Sequence, residues 1–409
     1  MEITIGNNKV KGQIVAPPSK SQSIRAIAAA ALCSSESVIS NYSKCDDALA
    51  AIDIIKALGS NVKFIKKDLY VTGGKPTGFT KLNCRESALC LRLFSVIASL
   101  FDCNIELIAE KSLLMRKTEN IEDILYSLGV DSNTNNGYPP IKVKGPMTGG
   151  KIQIDCSKSS QILSGLLYSL PLAKNDSIIE VTNLKSMPYI ALTLDILSKY
   201  GIEIQNELYE MFKIKGNQIY KPANIKIEGD WSCAANFLVV AAIRGEVSIS
   251  NLNINSLQGD KVIIELLKDI GASVLITENS VKVSTNKLNS YEFDAGDYPD
   301  LVPILAVLGC FCKGVSVIND ISRLSGKESS RAEIIAKELN SIGGKIRLEE
   351  NKMFINKCEL RGGIIDSHGD HRIAMALAVA GLSTSEPLTI ENAECVGKSY
   401  PDFWDNFEF

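Results

Sequence analysis

The stretch Ile52-Asp53-Ile54-Ile55-Lys56-Ala57-Leu58-Gly59-Ser60-Asn61-Val62-Lys63-Phe64 carries a helical spacing, a glycine and then strand-like alternation. Ile52, Ile55 and Leu58 recur in three-residue steps and line one face of a helix. Gly59 falls just past the helix end, where a left-handed backbone costs a residue without Cβ nothing. Val62-Lys63-Phe64 and Leu69-Tyr70-Val71, joined by a polar turn, read as a hairpin.

The same signals return at Leu128-Gly129, Tyr200-Gly201, Ile270-Gly271 and Ile342-Gly343, so that the five glycines are 70, 72, 70 and 72 residues apart. A second helix series, small and alanine-rich, starts near Ser19, Arg85, Ser157, Asp230, Asp297 and Gly369, at spacings of 66, 72, 73, 67 and 72. Strands are expected after these helices around Val38, Ile105, Ile179, Val247, Val315 and Leu388. Each unit therefore reads strand, helix, strand, helix, strand, strand, a period that marks a repeat architecture. The sixth unit stops at Phe409, and residues 2–5 supply a strand that is expected to complete it.

A chain of 409 residues exceeds the size at which one core stops growing. The expectation is an α/β protein of six βαβαββ units in two domains. Residues 1–17 are expected to belong with the C-terminal domain, residues 18–227 to form one three-unit domain and residues 228–409 the other. Pro17-Pro18 suits a stiff crossing between them.

Composition narrows the function. With 44 basic and 47 acidic residues the net charge is −3, which does not favour non-specific binding to nucleic acid. Apolar stretches are too short or interrupted to span a bilayer, and no signal peptide is visible, so a cytoplasmic protein is expected. Eleven cysteines without a Cys-x-x-Cys pair read as reduced, buried thiols.

Chemistry concentrates at the helix starts. Serine and aspartate there satisfy free N–H groups, but Lys20, Arg25 and Arg372 place positive charge against the helix dipole. A bound anion explains them, because a phosphate accepts from free N–H groups while added cations neutralise it. Arg116, Ser186 with Tyr189, Lys327-Glu328 with Arg331, and Lys398 form a second polar set. Lys327 and Arg331, four apart, are expected to share a helical face with an anion between them. Asp366, His368, Asp370 and His371 occupy one loop without a distant third histidine, so no metal site is expected. Motifs of nucleophile elbows, phosphate-binding loops and dinucleotide binding are missing.

Ser19-Lys20-Ser21 with Arg25, Ser159-Ser160-Gln161, Ser186-Met187-Pro188-Tyr189, Pro299-Asp300, Lys327-Glu328-Ser329-Ser330-Arg331, Asp370-His371-Arg372 and Lys398-Ser399-Tyr400-Pro401-Asp402 run in order along the whole chain. Together they resemble the 5-enolpyruvylshikimate-3-phosphate synthase family. The resemblance implies an inside-out αβ barrel whose two domains close over the substrates. It also implies transfer of enolpyruvyl from phosphoenolpyruvate to the 5-hydroxyl of shikimate 3-phosphate through a tetrahedral intermediate, by a monomer without metal or organic cofactor.

By the same resemblance, Lys20, Ser21, Arg25, Ser159, Ser160, Gln161, Ser186, Tyr189, Asp300 and Lys327 would hold shikimate 3-phosphate. Lys20, Ala88, Arg116, Gln161, Arg331, Arg372 and Lys398 would hold phosphoenolpyruvate. Asp300 is the candidate base, and Glu328 with Lys20 the candidates for proton transfer at the enol. The sequence departs from the family pattern at Ile24, Ala88, Leu89 and Lys117. The Ala88 methyl is expected to crowd ligands longer than phosphoenolpyruvate, glyphosate among them.

Three rivals are weaker. A related transferase acting on a UDP-sugar uses a reactive cysteine in the loop matching residues 110–118, which here contains none. A non-catalytic sensor would not need Lys20, Asp300, Glu328 and Arg372 together. An RNA-end-processing relative would want a nucleotide site and a more basic surface.

Overall fold

Eleven α-helices occur among the described residues: α1 (Lys20–Ala31), α2 (Asp46–Ala57), α3 (Ala88–Ala98), α4 (Ile121–Ser127), α5 (Gln161–Ser169), α6 (Met187–Lys199), α7 (Trp231–Arg244), α8 (Ile263–Asp269), α9 (Val302–Phe311), α10 (Arg331–Ser341) and α11 (His371–Gly381). The structure is a computed structural model and describes residues 1–6, 10–278 and 280–407. Glu408 and Phe409, where the sixth repeat stops in sequence, lie outside the described residues. The chain divides into two units, Met1–Pro17 with Glu228–Phe409 and Pro18–Ile227.

The even-numbered helices end at Gly59, Gly129, Gly201, Gly271 and Gly343, all with positive φ between 74° and 103°. Space as well as φ holds Gly59, since a Cβ there would meet the Lys75 carbonyl oxygen at 2.6 Å. The odd-numbered helices are the alanine-rich series. Ser19 and Asp230 cap α1 and α7 as the sequence suggests. Other starts come later than expected: α3 begins at Ala88, α5 at Gln161 and α9 at Val302. The polar residues ahead of them form turns first. Asp155 accepts from both the amide and the hydroxyl of Ser157, and Asp294 accepts from the Gly296 N–H at 2.8 Å.

Among the described residues the strands form six sheets. One repeat shows the plan: Thr80–Asn83 pairs parallel with Ile105–Ile108, which pairs antiparallel with Tyr138–Lys144 of a hairpin completed by Asp131–Asn135. Two leading strands pair outside the repeat whose helix they precede. Val10–Val15, just ahead of α1, pairs parallel with Gly245–Ser250 of the fourth repeat. Asn224–Lys226, just ahead of α7, pairs parallel with Ser37–Ser40 of the first. Each leading strand stays in the unit the chain is leaving, and so fills a sheet edge that would otherwise be open. Ile3–Ile5 pairs antiparallel with Leu388–Glu391 in the sixth sheet.

Within each unit the odd-numbered helices form the centre. Every residue of α3 and α11 is buried, as are residues 22–31 in α1. The sheets lie outside and alternate buried with exposed positions, as in Lys151–Asp155. Close approach of α3 and α5 depends on Gly165, whose added Cβ would lie 2.8 Å from the Val96 Cβ. Gly165→Val is therefore expected to cost about 3 kcal/mol, through overpacking that helix propensity does not offset. A urea midpoint equal to wild type would refute this.

Candidate active site

In the unit Pro18–Ile227 the predicted polar residues gather at the starts of α1, α5 and α6. Arg25, on the second turn of α1, is 2% exposed. It donates to the Thr193 hydroxyl at 2.9 Å and the Ser21 carbonyl at 3.0 Å, and its guanidinium lies 5.6 Å from the Tyr189 ring centre. Among the described residues no carboxylate pairs with it, and burial lowers its pKa. A buried cation held by hydroxyl, carbonyl and ring is suited to an anionic ligand. Ser186, buried at the N-cap of α6 with φ 58°, and Ser160, buried at the N-cap of α5, are further polar groups at these starts. The Ser159 hydroxyl accepts from the Gln161 N–H at 3.3 Å.

Two residues outside the predicted set organise this half. Arg92 donates to Gln161 Oε1 at 2.8 Å and to the Lys117 carbonyl at 2.9 Å, which ties Gln161 to the loop carrying Arg116. Its signal in sequence is an arginine amid the apolar run Ala88-Leu89-Cys90-Leu91-Arg92-Leu93. Asp47, at the start of α2, lies 3.1 Å from Lys20 Nζ, and both side chains are largely buried. Ala88 is the first residue of α3, whose N-cap Ser87 accepts from the Cys90 N–H. Arg116 follows the 3-10 turn Lys111–Met115 in extended conformation and is half-buried.

In the other unit the centre is Arg331, the first residue of α10 and 1% exposed at its side chain. Its Nε donates to Asp370 Oδ2 at 3.0 Å and its Nη2 to Asp370 Oδ1 at 3.2 Å, a bidentate pair. Nη1 donates to Asp300 Oδ1 at 2.9 Å, and Nη2 also donates to Glu328 Oε2 at 2.8 Å. Burial opposes this charge, but Asp370, Glu328 and Asp300 more than offset it and raise the pKa. Arg372 donates to Asp300 Oδ2 at 3.2 Å and approaches Cys233 Sγ at 3.7 Å. Lys398 is buried at the end of a 3-10 segment, Ala393–Lys398, that packs on α11.

The expectation for Lys327 and Arg331 is corrected here. They do not share a helical face, since Lys327 precedes the helix in extended conformation. Between them lies a protein carboxylate: Asp300 Oδ1 is 3.9 Å from Lys327 Nζ and 2.9 Å from Arg331 Nη1. Burial pulls Lys327 down to about 8, with Asp300 opposing. Lys327 is thus charged below about pH 8 and neutral above it. An anion drawn to this cluster is expected to lose affinity by up to about tenfold per pH unit above that point. Calorimetric titration with inorganic phosphate checks this, and Lys327→Met should flatten the slope.

Three of the residues considered for a metal, Asp366, His368 and Asp370, have other partners. His368 Nε2 lies 3.0 Å from Glu338 Oε1, Asp366 accepts from the His368 N–H, and Asp370 is committed to Arg331. All eleven cysteines are free thiols, most of them buried. No helix among the described residues is long and apolar enough to cross a membrane.

Solved structures place this fold among the enolpyruvyl transferases. EPSP synthase from Acinetobacter baumannii superposes with a TM-score of 0.81 at 25% identity, covering 99% of this chain and 97% of that one. The enolpyruvyl transferase NikO from Streptomyces tendae gives 0.77 at 17% identity, over 99% and 96%. A 3-phosphoshikimate 1-carboxyvinyltransferase of Clostridium perfringens is 38% identical over 413 aligned residues, all of this chain and 97% of the relative. The family model described as EPSP synthase (3-phosphoshikimate 1-carboxyvinyltransferase) matches residues 5–407. The chain belongs to the EPSP synthase family.

Proposed function

We propose that this protein transfers the enolpyruvyl group of phosphoenolpyruvate to the 5-hydroxyl of shikimate 3-phosphate and releases phosphate. The observation that carries the reading is the largely buried cluster in which Arg331, Arg372 and Lys327 surround Asp300, with Glu328 paired to Arg331. It joins cations able to hold an anion with carboxylates able to move protons. Family membership supplies the two substrates, and the helices-inside arrangement within each unit supports an inside-out αβ barrel.

In the addition step the 5-hydroxyl oxygen bonds to carbon 2 of phosphoenolpyruvate and loses its proton, while carbon 3 gains one and becomes a methyl group. In the elimination step a proton leaves that methyl group, the double bond re-forms, and the C–O bond to phosphate breaks. Asp300 takes the hydroxyl proton in this reading, and Glu328 with Lys20 serves carbon 3. Arg25, Ser159, Ser160, Ser186, Tyr189 and Gln161 hold shikimate 3-phosphate, with Ser21, Asp300 and Lys327 beside it. Arg116, Arg331, Arg372 and Lys398 hold phosphoenolpyruvate, with Lys20, Gln161 and Ala88 beside it.

The ion pairs divide the two arginines by role. Arg331 is held by three carboxylates and has one Nη1–H left for a ligand, whereas among the described residues Arg372 has one carboxylate partner, Asp300, and an Nε without a partner. Arg372 is the guanidinium more readily released to a substrate anion. Phosphate release, assayed with each substrate omitted in turn, tests the whole reading. Release from either substrate alone, or none from both together, counts against it.

A further inference from the structure

Asp260 is a buried carboxyl for which the proposed chemistry has no role. It lies in the 3-10 turn Gly259–Val262 and is 3% exposed. That turn is fastened to the start of α7: the Gln258 side chain donates to the Gly229 carbonyl at 2.9 Å and accepts from the Trp231 N–H at 3.2 Å. The Ser256 hydroxyl accepts from the Gln258 N–H at 3.1 Å. Although its backbone is held, neither Asp260 side-chain oxygen has a hydrogen-bond partner among the described residues. Burying a polar group in this way costs folding free energy, so a compensating role at the site is the natural reason for keeping it.

The groups facing it belong to three elements. Asp230 and Ser232 stand at the start of α7, Tyr298 and Asp300 in the loop ahead of α9, and Arg372 in the first turn of α11, where its Nη1 approaches Cys233 Sγ at 3.7 Å, on the same first turn of α7 to which Gln258 is bonded. Arg372 Nε, on the same guanidinium that donates to Asp300, is also without a hydrogen-bond partner among the described residues.

We propose that Asp260 is a positioning residue that acts through Arg372: together with Asp300 it sets how strongly protein carboxylates retain the guanidinium, and hence how readily Arg372 passes to an incoming substrate anion. This rests on the reading of the site given above. Burial, and then the charge of Asp300, push the Asp260 carboxyl up to about 7. Below that pH Asp260 is neutral and one carboxylate competes with the substrate for Arg372. Above it two do, so capture of phosphoenolpyruvate weakens as pH rises.

The test compares wild type with Asp260→Asn and Asp260→Ser, both unable to ionise. Wild type is assayed first for phosphate release with both substrates. Its KM for phosphoenolpyruvate should rise about tenfold more between about pH 6 and about pH 8 than that of either variant, with the effect on KM rather than kcat. Lys327 titrates in all three proteins and cancels in the comparison. Equal slopes, or a loss confined to kcat at every pH, would overturn the proposal. If neither variant folds, calorimetry of Lys327→Met in two buffers at about pH 7 reads the proton balance of phosphoenolpyruvate binding without the contribution of that lysine. Net uptake supports the role of Asp260, and net release or no change overturns it. A wild type that releases no phosphate defeats the enzymatic reading instead, and the pH dependence of inorganic phosphate binding in the same proteins still decides the fate of Asp260.

Discussion

Arg331→Met is expected to abolish measurable turnover and to lower stability by about 3–5 kcal/mol, the usual cost of removing one partner from a buried ionic group. Methionine fills much of the space but leaves Asp370, Asp300 and Glu328 without the guanidinium that joins them. A cavity alone would destabilise equally at every pH. Uncompensated carboxylates give another signature. Their folded-state pKa values would lie above the unfolded ones, so the folded variant binds more protons and its stability falls as pH rises through that range. Urea denaturation at several pH values separates the two, and a loss independent of pH would rule out the electrostatic account.

Asp300→Asn has the second largest expected effect, and its pattern differs. Asp300 meets Arg331, Arg372 and Lys327 at once. The amide cannot take a proton from the attacking hydroxyl, so kcat is expected to fall by about 10³, within the range for loss of a general base. Arg372 meanwhile loses its carboxylate partner. Affinity for phosphoenolpyruvate should therefore hold or improve while turnover collapses. Single-turnover rates with binding measured separately would show the split, and a kcat within about tenfold of wild type would remove Asp300 from the role of base.

The repeat was legible because helix-end glycines and alternating strands are local signals. Gly59, Gly129, Gly201, Gly271 and Gly343 needed only their own φ to be read, and all five adopt it. Helix starts were less legible. Ser157 resembles a cap in sequence but spends its hydroxyl on Asp155, which the spacing does not reveal. Residues 1–17 were expected with the C-terminal half, but the strand they would pair with was invisible, because Val10–Val15 and Gly245–Ser250 are joined by hydrogen bonds between segments more than 200 residues apart. The site divided in the same way. Cationic helix starts are local signals, whereas the carboxylate between Lys327 and Arg331 comes from the distant loop ahead of α9.

The exchanged strands also restrict how this chain could be cut or rewired. A fragment ending at residue 227 would carry Val10–Val15 without the strand it pairs with, and a fragment starting at residue 228 would present Gly245–Ser250 with a bare edge. Independent expression of the two halves as simple N- and C-terminal pieces therefore invites aggregation through that edge. A circular permutant opening at Pro18, with residues 1–17 tethered behind the C-terminus, makes each unit contiguous and leaves one covalent crossing instead of two.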